Sequence, residues 1–202
     1  IIFIKKYGFT YLIIFRILAS PNKQSRKRAR GYFMSLINTE VKPFNATAYK
    51  NGEFIEVSEQ DMIGKWSVVF FYPADFTFVC PTELHAFQEA LPEFQKRNTI
   101  VIGASCDTNE VHFAWLNTPK DNGGIEGVTY PILADTHRQL ANILGIVDQD
   151  LEYDEEGNEV FTGSNVTYRA TYLIDETGKI FHESVNDMPL GRNVKEYLRL
   201  VD

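Results

Sequence analysis

The sequence predicts one α/β domain with a mixed central sheet flanked by helices. Three observations lead there. Two apolar runs of strand length, WSVVFFY (66–72) and TIVIGAS (99–105), carry no polar alternation, as expected of strands buried on both faces. Between them Leu84, Phe87, Leu91 and Phe94 recur at helical spacing, which makes a βαβ unit. Near the end, ATYLID and IFHESV flank the turn Glu176-Thr177-Gly178-Lys179 and read as a hairpin.

The remaining elements follow in order. Pro92 is expected to kink or divide the helix after the first strand. Val111 to Asn117 reads as a short helix, YPILA (130–134) as a third strand, and Arg138 to Leu144 as another helix. Asp148 to Ser164 is acidic, weakly periodic and contains glycine, so it reads as an exposed loop. Val194, Tyr197, Leu198 and Val201 mark a closing amphipathic helix. A βαβ unit, further α/β elements, a hairpin and a last helix fit the thioredoxin fold.

Composition bounds the function. The 202 residues are 44% hydrophobic and 13% aromatic, enough for a sizeable core and unlike a disordered chain. The net charge of −7 disfavours a nucleic-acid binder. Two cysteines, Cys80 and Cys106, exclude a disulfide-stapled scaffold and a four-cysteine zinc module. No metal-ligand spacing occurs, and no metal or other cofactor is expected.

Residues 1–33 differ from the rest. They carry eight basic side chains and no acid, so a chain charge of −7 leaves −15 on the remainder. The apolar stretches are too short for a spanning helix, which needs roughly 20 residues, and no stable membrane insertion is expected. This leader reads as a non-native or targeting-like segment, expected to be disordered. Either it is upstream sequence translated in frame before Met34, or it is a targeting segment with a poor match to the known classes. The globular domain is assigned to 34–202. Sparse cysteines and the lack of a convincing export signal point to the cytoplasm.

The richest segment is FYPADFTFVCPTE (71–83). Pro73 forces the chain out of the sheet. Pro81 suits the first helical position, which makes Cys80 the expected N-cap. A sulfur there faces free N–H groups and the positive end of the helix dipole, which favours thiolate over thiol. Thr77 lies one turn earlier, so its hydroxyl can reach the sulfur and hold a peroxide oxygen. Glu83 occupies the place a second cysteine would take in a C-x-x-C motif, so disulfide exchange of that kind is excluded. His85, His112, His137 and His182 show no pairing expected of a base and read as surface or core residues. Arg169 falls on a buried strand and needs a partner, because unpaired buried charge is costly. A thiolate and Glu83 are suitable, although Glu83 can also serve as a plain helix-start carboxylate.

PADFTFVCPTE resembles the peroxidatic-cysteine signature of the peroxiredoxins, Pro-x-x-x-Thr-x-x-Cys. MSLINTEVKPFNATAYKNGEF resembles the start of the peroxide-reducing component of alkyl hydroperoxide reductase. HFAWLNTPKDNGG, GVTYPILAD, TYRATYLID and NDMPLGRNVKEYLRLVD resemble typical two-cysteine peroxiredoxins in the same order. The resemblance runs from Met34 to Asp202 and implies the peroxiredoxin variant of the thioredoxin fold. It implies Cys80 as nucleophile toward hydrogen peroxide and alkyl hydroperoxides, Thr77 orienting the peroxide, Pro73 shielding the pocket, and Arg169 stabilising the developing charge. It further implies re-reduction by thioredoxin or a flavoprotein disulfide reductase, and a homodimer or decamer with Trp115 and Phe76 at contacts. Family members carry a resolving cysteine in a C-terminal Val-Cys-Pro context that is missing here, so a C-terminal truncation is expected. Cys106 is the only internal substitute, and a Cys80–Cys106 bond is disfavoured because loops after adjacent strands diverge. Competing readings are an oligomeric holdase chaperone and a catalytically inactive truncated relative.

Overall fold

A computed structural model describes residues 2–6, 9–13 and 35–202. In the leader, β1 (Ile2–Lys6) and β2 (Phe9–Ile13) pair antiparallel as a separate two-stranded sheet. Both are rich in aromatic and β-branched residues, which favour extended pairing over the disorder expected there. The rest of the leader lies outside the described residues.

The main sheet has seven strands. They are β3 (Asn45–Lys50), β4 (Glu53–Ser58), β5 (Trp66–Phe71), β6 (Thr99–Ser105), β7 (Ile132–Ala134), β10 (Arg169–Ile174) and β11 (Ile180–Asn186). Their spatial order is β11-β10-β5-β6-β7-β3-β4. The β5–β6 and β6–β7 pairs are parallel and the others antiparallel, so the sheet is mixed as expected. The β3–β4 hairpin extends the sheet beyond the strands readable in the sequence.

Side-chain alternation divides the core. On β5, Val68 and Phe70 point to one face, while Val69 and Phe71 point to the other. The first face is covered by α1 (Cys80–Lys96) and α4 (Val194–Val201), and it receives Trp115 from α2 (Asn109–Leu116). The second is covered by α3 (Gln139–Ile143) and by Phe44, Val57 and Met62. Phe87 of α1 stacks on Phe70 at a centroid distance of 4.1 Å. Each such buried side chain contributes about 2 kcal/mol by removal from water.

Three expectations change. The helix is not divided at Pro92: α1 runs through it for 17 residues. Pro92 lies on the solvent-facing side, so the ring and the lost hydrogen bond spare the buried Leu84–Phe87–Leu91–Phe94 face. Cys80 is the first helical residue rather than the N-cap, because Val79 already has right-handed helical dihedrals (φ −87°, ψ −40°) and takes the cap position. The acidic segment forms a hairpin, β8 (Asp150–Tyr153) and β9 (Glu159–Thr162), rather than a loop. Leu151 opposes Phe161, and Gly157 supplies a positive φ of 88° in the turn. The hairpin's base is closed by Asp148, whose carboxylate accepts from the Ser164 backbone N–H at 3.0 Å and hydroxyl at 2.7 Å. Asn165 N donates to Asp148 O at 3.0 Å beside them. Among the described residues no helix is long and apolar enough to cross a membrane.

Candidate active site

The strand β5 ends at Phe71, and the chain leaves the sheet through Tyr72 and the buried Pro73. It re-enters at Cys80, whose side chain is fully buried at the first turn of α1. Period-two alternation on β10 sends Arg169, Thr171 and Leu173 to the α1 face, opposite to Ala170 and Tyr172. Arg169 therefore reaches under the helix. Its Nη1 lies 3.3 Å from Cys80 Sγ and 2.5 Å from Glu83 Oε2, and its Nε donates to Met188 O at 2.5 Å. The guanidinium is held from both ends, with one face of its fork turned to the sulfur.

Glu83 is no simple helix-start carboxylate. It is buried between two arginines. Arg192 donates to its Oε1 from the backbone N at 2.8 Å and from Nε at 2.9 Å, and to its Oε2 from Nη2 at 3.0 Å. Burial alone would push the Glu83 carboxyl up. The hydrogen bonds and charge of Arg192, with the charge of Arg169, outweigh that and hold it below the usual carboxylate range. Arg192 also donates to Phe71 O at 2.8 Å and Ala170 O at 3.0 Å, and its guanidinium lies 4.9 Å from the Phe70 ring centre. The two arginines and one carboxylate leave a net positive charge beside the sulfur, which favours an anion there.

Thr77 differs from expectation. Its hydroxyl donates to Ala74 O at 3.0 Å and makes no hydrogen bond to the sulfur. The turn at Phe76, with a positive φ of 54°, folds the loop back on itself and offers that carbonyl first. With its proton committed, Thr77 Oγ1 presents lone pairs only. Trp115 is wholly enclosed within its own chain, with Nε1 donating to Gly123 O at 2.9 Å, so it is a core residue rather than a surface contact. Phe76 is 54% exposed.

Arg192 carries no signal in the sequence. Its partner is 109 residues away, and nothing local distinguishes it from a surface arginine. Equally silent is a buried chain beside the loop. Tyr72 OH donates to Asp75 Oδ1 at 2.8 Å, and Asp75 Oδ2 meets His112 Nδ1 at 2.7 Å. Of the two places open to His112, surface or core, it occupies the core, but as a paired residue. Neither cysteine is in a disulfide. Burial, and then the carboxylates of Asp135 and Asp107, push the Cys106 thiol up to about 11, so it is a poor internal resolver. Among the described residues no group of three or more His, Cys, Asp or Glu is placed to hold a metal ion.

The profile of the AhpC/TSA family matches residues 37–183, most of the chain. The chain belongs to the AhpC/TSA family. It is 40% identical over 161 residues to the probable peroxiredoxin prdx-3 of Caenorhabditis elegans, covering 80% of this chain and 66% of that protein. It is 38% identical to the mitochondrial thioredoxin-dependent peroxide reductase of Pongo abelii, covering 92% and 68%. The chain thus spans just under two thirds of the length of the nematode relative. Among solved structures, AhpC of Enterococcus faecalis superposes with a TM-score of 0.71 at 40% identity, covering 83% of this chain and 91% of that one. The expected thioredoxin-like fold in its peroxiredoxin variant is therefore correct for this AhpC/TSA member.

Proposed function

We propose that this protein is a thiol peroxidase that reduces hydrogen peroxide and alkyl hydroperoxides through Cys80. The observation that carries this is the Arg169 guanidinium 3.3 Å from the sulfur, itself anchored by Glu83 and Met188 O. A buried thiolate with one fixed cation has the charge and the aim for attack on a polarisable O–O bond.

The Cys80 thiolate attacks the terminal oxygen of ROOH. The S–O bond forms as the O–O bond breaks, and the departing alkoxide takes a proton to leave as ROH. For hydrogen peroxide the leaving product is water. Cys80 becomes a sulfenic acid. Thr77 Oγ1, with lone pairs facing outward, accepts the hydroxyl proton of the bound peroxide. Arg169 donates toward the oxygen on which charge develops. Pro73, buried beside them, keeps bulk water from the sulfur. A thiol donor then condenses with the sulfenic acid, forming a mixed disulfide and water. We take that donor to be thioredoxin or a flavoprotein disulfide reductase, acting in the cytoplasm. The name of the Pongo abelii relative supports the first. We also take the protein to be a homodimer able to build a decamer. Exposed phenyl rings at Phe76, Phe78 and Phe113 support an apolar contact between copies.

The test is intact-protein mass after one equivalent of hydrogen peroxide with dimedone present. A dimedone adduct on Cys80, lost in Cys80→Ser, is the expected result. An unchanged mass would overturn the reading.

A further inference from the structure

The loop that carries Cys80 is tied down by groups that the peroxide chemistry does not use. Asp75 lies in its middle. Its Oδ1 accepts from Tyr72 OH at the end of β5, and its Oδ2 meets His112 Nδ1 on α2. His112 Nε2 faces Leu133 O of β7 at 3.1 Å. Asp75 N donates to Asp107 Oδ2 at 2.8 Å, and Asp107 is fixed by the Ser105 hydroxyl at the end of β6, also at 2.8 Å. The loop is thus bound to β5, β6, β7 and α2 through one carboxylate and one backbone amide. The side chains of Asp75, His112 and Tyr72 are all buried.

Donor and acceptor chemistry fixes the protons. A carbonyl oxygen only accepts, so Nε2 of His112 must carry a hydrogen. Tyr72 OH occupies Asp75 Oδ1. The remaining 2.7 Å contact, Nδ1 to Oδ2, then holds one proton, whichever atom it is drawn on. With that proton the pair is neutral overall. Without it, two lone pairs face each other and an uncompensated carboxylate is left buried beside Asp107. Burial raises the Asp75 carboxyl, and Asp107 adds to this against the pull of His112, in keeping with a retained proton. The charged and titratable groups that face the contact are Asp107 and Tyr72; β7 contributes only its carbonyl.

We propose that Asp75 and His112 are positioning residues that hold the loop 73–80 in its reactive shape, and do so only while one proton occupies their contact. The catalytic consequence rests on the peroxidase reading above; the tie itself does not.

Asp75→Asn separates this from a merely structural role. The new amide accepts from Tyr72 through Oδ1 and donates to a neutral His112 through Nδ2, so the loop is held with no mobile proton. Two quantities are read from pH 6 to 9.5: the rate of Cys80 oxidation by hydrogen peroxide, and the amide-exchange protection of residues 74–79. The ratio of the Asp75→Asn rate to the unsubstituted rate cancels the titration of Cys80. It is expected to climb at alkaline pH, as the unsubstituted loop alone loses protection. His112→Phe is expected to lower the rate roughly 100-fold at every pH, the cost of about 1 Å of misplacement, with loss of loop protection. Tyr72→Phe removes a single bond at constant shape, should give a smaller loss of both, and keeps the test alive if His112→Phe does not fold. A flat ratio with unchanged loop protection overturns the proposal. Loop protection that follows the expected pattern while no chain consumes peroxide supports the tie and overturns the peroxidase reading instead.

Discussion

Cys80 and Cys106 follow adjacent parallel strands at the same edge of one sheet, yet their surroundings push them in opposite directions. Cys80 is the more deeply buried, with no exposed surface, and faces the Arg169 guanidinium. Cys106 is partly exposed and faces the carboxylates of Asp135 and Asp107. Exposure alone would name the wrong nucleophile. The sign of the nearest fixed charge, and whether anything holds that charge in place, separates the two thiols.

The contrast can be broken in measurable ways. At pH 8 Cys106 should be alkylated by iodoacetamide about a thousandfold more slowly than its fully ionised form, and about tenfold faster per unit as pH rises toward about 11. A fast Cys106 at pH 8 would erase the distinction. Arg169→Met should slow oxidation of Cys80 by hydrogen peroxide about 100- to 1,000-fold, the usual cost of removing one donor aimed at developing charge. Cys106 alkylation should not change, and stopped-flow fluorescence with peptide mapping reads both.

Removing the anchor rather than the cation acts on stability as well. Glu83→Gln should cost about 3 kcal/mol in urea unfolding, because two buried guanidinium groups lose their counter-charge. The sign with pH follows from the depressed Glu83 carboxyl. Its contribution is complete above the ordinary carboxylate range and disappears as pH falls through the lower folded value. The gap between the unsubstituted protein and Glu83→Gln should therefore narrow in acid. At the other cysteine, Asp135→Asn should raise Cys106 alkylation several-fold with no effect on peroxide consumption. The smallest effect belongs to the acidic hairpin. Replacing residues 150–162 by a short Gly-Ser link should leave the peroxide rate and the urea midpoint nearly unchanged, since surface changes away from buried features are usually within about 0.5 kcal/mol.

What could be read in the sequence was what is local. The apolar runs of β5 and β6, the hairpin around Gly178 and the spacing of α4 each carry their signal within a dozen residues. The Pro-Thr-Cys segment placed Cys80 at a helix start, one position off, because Val79 takes up helical dihedrals with no side-chain cap to mark it. Arg169 was readable through its strand and the family resemblance. The remainder depends on distant partners. Arg192 reaches Glu83 across 109 residues, and His112 reaches Asp75 across 37. A histidine on a short helix looks the same whether its ring meets solvent or a buried carboxylate. The acidic segment misled for another reason: its alternation of Leu151 and Tyr153 against Val160 and Phe161 is short and swamped by charge.

The closed base of that hairpin bears on how this protein can be altered by evolution or by hand. Asp148 and Asn165 are already joined across the stem, with the Val147–Thr167 bridge behind them. The ends meet regardless of what lies between, and the entropy of closing a longer excursion grows only slowly with its length. The tip near Gly157 is therefore an open port in the architecture. A fluorescent protein, an affinity tag or a whole new module can be spliced there while the redox centre keeps its geometry.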